Sequence, residues 1–200
     1  MADDRPFSPA AERNREPILR VLAEWLPASG RMLEIGAGTG QHARYFAERL
    51  PEWRWQPTDH PDRLADLRRG LYGIDLPNID PPLPLDVTGT WPDGRWDAVY
   101  SANTAHIMAW PAVCAMFAGA AEALTGQGLF FLYGPFRRHG LHHAQSNADF
   151  DASLRARPGG MGVRDLAELD RLAESLGLER VAELQLPANN HMLIFKPLAS

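Results

Sequence analysis

Leu33-Glu34-Ile35-Gly36-Ala37-Gly38-Thr39-Gly40 places three glycines at alternate positions directly after a short apolar run. A strand that turns sharply into a helix needs residues without a Cβ, for dihedral freedom and for close approach of a ligand. In an open parallel sheet such a turn lies at the carboxyl end of its strand, where ligands bind. Dinucleotide binders usually space the glycines G-x-G-x-x-G and seat a pyrophosphate on the helix that follows. Here the third glycine comes one residue earlier. Glu34 stands just before the turn, where it would repel a pyrophosphate and suit a ligand bearing positive charge.

Outward from this turn the chain alternates strands and helices. A polar arm leads into a helix from about Ala10 to Trp25, with Pro17 expected to split or kink it. Residues 31–35 form the strand before the turn, and 41–50 the helix after it. Residues 53–58 are the next strand, and Asp62 is placed to cap a helix reaching about Arg69. The segment 83–87 is too short to assign by period. Residues 96–101 and 129–133 read as strands around a helix at 112–124. A long loop follows from Gly134 to about Gly160, with room for a short helix near Phe150, and then a helix over 163–176. The strands 180–186 and 192–196 close the chain as a hairpin. The expected fold is α/β and Rossmann-like: a mostly parallel sheet with helices on both faces and a C-terminal antiparallel hairpin. Residues 1–200 read as one domain, with 1–27 as an N-terminal arm and helix and 134–160 as a candidate substrate lid.

Acidic residues recur at the ends of successive strands. Asp59 ends the second strand, 19 residues after Gly40. A carboxylate there accepts hydrogen bonds from ribose hydroxyls and would repel a 2′-phosphate. A plain turn before His60-Pro61 is the competing account of Asp59. Asp86 would end the third strand and accept from an adenine amino group, with the Val87 backbone near the ring.

These residues carry a resemblance. Glu34 to Gly40 looks like the first motif of class I S-adenosylmethionine-dependent methyltransferases, Asp59 like the acid of the second, and Asp86 like the third. Asp97 to Ser101 looks like the fourth strand. More closely, Phe7 to Asn14, Ser101 to Ile107 and Tyr133 to Phe136 are similar to an uncharacterised domain-of-unknown-function family that includes methyltransferase-like protein 26. The resemblance implies a seven-stranded sheet and S-adenosylmethionine as cofactor. It implies no methyl acceptor, and the loop 134–160 matches no general methyltransferase motif. Its candidate cofactor-binding set is Glu34, Gly36, Ala37, Gly38, Gly40, Asp59, His60, Asp86, Val87, Ser101, Asn103 and Arg13.

Methyl transfer needs alignment more than a catalytic signature, because the methyl is already activated and orientation alone supplies roughly 7–11 kcal/mol. The acceptor region is expected beyond the fourth and fifth strands. Backbone carbonyls near Ser101 and Asn103 are placed to hold an ammonium. His106 is a candidate base, since its ordinary pKa lies near neutrality. Packing within the loop explains His106 equally well. Tyr133 is the second catalytic candidate and Arg13 a partner for a carboxylate. Asn189-Asn190-His191 is placed to reach the same pocket. His139, His142 and His143 suggest a metal cluster, but no Cys or well-placed carboxylate completes the set, so no metal is expected.

Composition narrows the classes. Of 200 residues, 45% are hydrophobic and 22% charged, and the formal net charge is -5. No basic block stands out, which argues against a large nucleic-acid footprint. The single cysteine, Cys114, excludes an internal disulfide and is expected to be buried. With no run of the ~20 apolar residues a membrane span requires, a cytoplasmic location is expected. The leading reading is a methyltransferase acting on a small molecule or a protein side chain. The alternatives are a non-catalytic module that binds the same cofactor and works through a partner, and a nicotinamide-dependent oxidoreductase, which the glycine spacing and Glu34 disfavour.

Overall fold

Strand β1 (Gly30–Ile35) ends at the glycine turn, in the interior of the sheet. The computed structural model describes residues 5–198. β1 pairs in parallel with β2 (Trp53–Asp59) on one side and β4 (Trp96–Ala102) on the other. β3 (Leu83–Pro84) extends the sheet beyond β2, and β5 (Leu124–Gly134) extends it beyond β4, both in parallel. β10 (Asn190–Pro197) then runs antiparallel between β5 and β9 (Leu178–Leu186). The order is β3-β2-β1-β4-β5-β10-β9. This is the expected α/β architecture with its reversed strand near the end.

The period of two along each strand explains why both faces are covered. Leu33, Ile35, Val99, Phe130, Leu132, Leu193 and Phe195 face one layer, built from α4 (Trp110–Ala123) and α6 (Leu166–Ser175). Phe117 of α4 meets Phe130 and Phe195 edge to face, each at 5.2 Å between ring centroids. Truncating a fully buried Phe to Ala at such a site costs about 3–5 kcal/mol. Met32, Ala98, Tyr100, Phe131, Met192 and Ile194 face the opposite layer, built from α1 (Pro9–Trp25) and α2 (Gln41–Arg49). Glu34 shares the parity of Met32 and therefore enters this second core. α3 (Leu64–Leu71) packs Leu64 and Leu67 against Ala37 of the glycine turn.

Several boundaries differ from the sequence expectation. Pro17 neither splits nor ends α1, which runs unbroken from Pro9. Ser8 caps it, its Oγ accepting from the Ala11 amide at 3.3 Å. Pro9 occupies the first helical turn, where a missing N–H costs nothing. β5 begins at Leu124, directly after α4. Cys114 is partly exposed on α4. The segment read as a long loop is folded. It holds β6 (Phe136–Arg138), β7 (Leu141–His142) and α5 (Gln145–Arg155). With β8 (Arg164–Asp165) the two short strands form a second sheet in the order β7-β6-β8. Asp151 anchors it by accepting from the Val163 amide at 2.7 Å, and Asp165 does so from the Gly140 amide at 2.6 Å. These are long-range polar bonds that no local period announces.

Candidate functional site

At the carboxyl edge of β1, β2 and β4 the chain opens into a cleft with two lobes. One lobe, about 780 Å³, lies under the start of α1 and is lined by Arg13, Asn14, His106, Tyr133, Phe150 and Asn190 among others. The other, about 720 Å³, is lined by Asp59, His60, Arg63, Leu85, Asp86 and Val87 among others. Gly36, Gly38, Thr39, Ala102 and Asn103 line both.

The glycine turn divides its tasks by position. Gly36, Gly38 and Gly40 all hold positive φ, at 69°, 59° and 69°, a region that costs other residues strain. A Cβ on Gly36 would meet the Thr104 methyl at 2.6 Å, so this glycine lets β1 and the loop after β4 pack together. A Cβ on Gly38 would meet nothing within 4 Å and would project into open space at the cleft. Gly38 donates its amide to Asp59 Oδ2 at 2.6 Å, and His60 donates to Oδ1 at 2.7 Å. Each carboxylate oxygen keeps a lone pair beyond these bonds. Burial raises the Asp59 pKa above its ordinary value, and the two amide bonds oppose that rise.

Asn103 holds φ at 59° just past β4. Its amide donates to the Tyr133 carbonyl at 2.9 Å, which fixes the loop between the lobes. Arg164 braces the same loop from below. Its guanidinium donates to the carbonyls of Ala105 at 2.9 Å, Gly160 at 3.1 Å and Met108. His106 lies buried beside this cation, with its ring edge to face against Phe150 at 5.2 Å. Desolvation, helped by Arg164, lowers its pKa to about 4.

A buried polar chain backs the first lobe. Tyr100 Oη lies 3.1 Å from His42 Nδ1, and His42 Nε2 lies 2.7 Å from Asn14 Oδ1. The Tyr133 hydroxyl bonds the side chains of Asn14 and Asn190. Burial lowers the His42 pKa to about 4, so the ring is neutral near pH 7. A neutral ring accepts from Tyr100 and donates to Asn14.

Residues 5–197 match the family described as "Protein of unknown function (DUF938)". The chain belongs to that family. Among solved structures it is similar to the mitomycin 7-O-methyltransferase MmcR, with a TM-score of 0.80 at 20% identity, over 94% of this chain and 55% of that one. It is also similar to an O-methyltransferase family protein from Burkholderia thailandensis, with a TM-score of 0.80 at 16% identity, over 96% and 58%. Human N-acetylserotonin methyltransferase, solved in complex with SAM, matches with a TM-score of 0.79 at 12% identity, over 95% and 53%. The DUF938 chain thus spans a little over half the length of these structures, and the likeness at such identities is one of fold.

In this DUF938 member the sequence-derived residues separate into two groups. Gly36, Ala37, Gly38, Asn103, Arg13, His106 and Tyr133 reach the first lobe, and Asp59, His60, Asp86 and Val87 reach the second. Asn190 of the last hairpin also lines the first lobe. Glu34, Gly40 and Ser101 do not line either lobe. Glu34 turns into the core on the α1–α2 side, where the Trp55 Nε1–H donates to its carboxyl at 2.6 Å. Full burial raises its pKa to about 8. It is therefore mostly protonated near neutrality and is no counter-charge for a bound cation. Ser101 has no exposed surface; its hydroxyl donates to the Ile35 carbonyl at 2.9 Å and contacts Thr104 Oγ1 at 2.7 Å. Gly40 starts α2 in the left-handed conformation and packs on Leu71.

Two further expectations need correction. β3 stops at Pro84, so Asp86 lies past the strand on an exposed turn. There it accepts from the Thr88 amide at 2.9 Å and the Thr88 hydroxyl at 2.7 Å. His106 does not titrate near neutrality. Burial also raises the Tyr133 pKa above its usual value, so its hydroxyl stays protonated. Sequence reasoning missed Thr39, His42, Asn147 and Phe150 as cavity residues. His42 sits on the inner face of α2 two residues past the Gly40 cap, and that spacing was the available signal. Asn147 and Phe150 arrive only because 134–160 folds.

Proposed function

We propose that this protein is an S-adenosylmethionine-dependent methyltransferase whose acceptor, a small molecule or a protein side chain, occupies the 780 Å³ lobe. The observation that carries this reading is the paired geometry of Gly38 and Asp59. A bend open to the cleft is tied to a carboxylate that retains free lone pairs at the end of the neighbouring strand.

The residues present fit such a cofactor. Gly38 leaves room for close approach of a ligand, and Asp59 is positioned to accept from two ribose hydroxyls. Leu85, Val87, Ile107 and Met108 supply apolar walls for a purine in the second lobe. Asn103 and Thr39 stand where the lobes meet, and Arg13 would pair with a carboxylate on the first side. When bound, the cofactor supplies a methyl group activated by its sulfonium. The chain's own residues then orient an acceptor and exclude water. Phe150, Pro135 and Pro187 form apolar wall, while Asn147, Asn190 and the Tyr133 hydroxyl offer hydrogen bonds to an acceptor. Neutral His106 lines the same wall, and with a pKa near 4 it is a weak base there.

Calorimetric titration with S-adenosylmethionine and with its demethylated product tests this reading. Saturable binding of both is expected, followed by methyl transfer to members of an acceptor panel. Absence of heat with either ligand would overturn the proposal. Binding without turnover on any acceptor would favour the non-catalytic module instead.

A further inference from the structure

Three side chains outside the cleft come together where the segment between β7 and α5 crosses the last two strands. One ligand atom each from His143, Glu183 and His191 lies within 4.8 Å of the other two. His191 Nδ1 stands 3.4 Å from Glu183 Oε1. The rings of His143 and His191 meet edge to face, 4.8 Å between centroids.

A second observation points to a missing partner. His191 is 4% exposed, yet its buried Nδ1 makes no hydrogen bond. Leaving such an atom unsatisfied costs about 1–3 kcal/mol. Glu183 divides its oxygens. Oε2 accepts from Arg138 at 2.5 Å and from Arg180 at 3.0 Å, which leaves Oε1 toward the imidazole. A separation of 3.4 Å is long for a hydrogen bond. It equals the edge of a tetrahedron drawn around an ion with ligand bonds of about 2.0–2.2 Å.

We infer that His143, Glu183 Oε1 and His191 Nδ1 form a binding site for a divalent transition-metal ion, with zinc the best match. Two imidazoles and one carboxylate suit zinc or cobalt rather than calcium or magnesium, which prefer all-oxygen sets. His143 is exposed, so its side chain has room to turn toward the other two. Arg138 and Arg180 weaken the attraction for a cation but hold the carboxylate in place. His142, by contrast, turns inward to Asp151, its Nε2 3.2 Å from Oδ2.

The ion would act as a clasp on the cavity wall. His191 follows Asn190, and His143 precedes Asn147; both asparagines line the first lobe. Asn147 Nδ2 already donates to the Asn189 carbonyl at 3.2 Å. A metal beside this bond pins the folded segment 134–160 to the final hairpin. This site stands whether or not the cleft transfers methyl groups.

The test uses the full chain stripped of metal with a chelator. Zinc chloride is titrated by calorimetry, and cobalt chloride is followed by visible absorption. The expected result is one ion per chain, a cobalt spectrum of a four-coordinate nitrogen and oxygen site, and slower amide exchange in residues 139–147 on zinc addition. His143→Ala removes an exposed side chain and keeps the fold. It should weaken zinc binding by at least about tenfold, since even outer-shell changes cost 10–100-fold. No saturable zinc binding, or unchanged affinity in His143→Ala, would overturn the site and leave Glu183 and His191 as a simple polar contact.

Discussion

Gly38 donates its amide hydrogen to the Asp59 carboxylate across 2.6 Å, which locks the bend after β1 to the end of β2. Neither residue holds its place alone. The open dihedral of Gly38 lets the amide point sideways, and the acid keeps it there.

Under the proposed function, Asp59→Ala should therefore cost both the bend's restraint and the proposed acceptor for the ribose. Two lost charge-assisted bonds, at about 1.5–3 kcal/mol each, predict a loss of affinity for S-adenosylmethionine of about 100-fold or more. Calorimetry measures it, and far-ultraviolet circular dichroism should show the fold retained. Asp59→Asn should fall between the two, since one oxygen remains to accept.

Gly36 and Gly38 should separate folding from binding. Gly36→Ala drives a Cβ into the Thr104 methyl at a positive φ and should destabilise the protein by about 2 kcal/mol in urea unfolding. Thr104→Ser in the same chain should recover part of that loss. Gly38→Ala meets no neighbour, so it should cost about 1 kcal/mol from φ alone while obstructing the ligand. Equal unfolding midpoints for the two variants would contradict this division.

Glu34 should make the protein less stable as pH rises past neutrality. Its folded pKa, about 8, lies above the ordinary 4.5. The unfolded chain is ionised above 4.5, whereas the folded carboxyl holds its proton to about 8. Stability from this group is complete below 4.5 and declines as pH climbs toward 8. Between pH 6.5 and 8 the decline should reach about 2 kcal/mol. Glu34→Gln still accepts from Trp55 and should remove it. His42 and His106 act in the other direction. Their folded values near 4 lie below 6.5, so each lowers stability as pH falls from 6.5 toward 4. Urea unfolding across pH 4–8 should therefore show a maximum near pH 6.5 that Glu34→Gln broadens upward.

The sheet was legible because its signals are local. Alternating apolar residues, glycines at the bend after β1 and Gly177 after the last helix each report on a few neighbours. Asp59 was legible for the same reason, as it ends a strand at a set distance from the bend. Glu34 was misplaced because side-chain parity, not adjacency to the turn, decides which face it enters. The segment 134–160 was unreadable because its order rests on Asp151 reaching Val163 and Asp165 reaching Gly140. The same distance in sequence hid Glu183 and His191 from His143.

If methyl transfer proceeds as proposed, its rate should not titrate through His106 between pH 5.5 and 7.5. An imidazole with a pKa near 4 is already neutral across that range. His106→Gln should lower kcat by less than the roughly 100-fold that a working general base supplies, without introducing or removing a limb in the pH profile. A wild-type limb near pH 6.5 that vanishes in His106→Gln would show that the buried ring titrates normally.

Both lobes share the edge formed by Gly36, Gly38, Thr39, Ala102 and Asn103. Two molecules seated on either side, as proposed, would meet along this shared edge. A single compound crossing that edge, with a nucleoside at one end and an acceptor mimic at the other, should bind more tightly than its two halves do separately. The linker between the halves would then serve as a ruler for the passage.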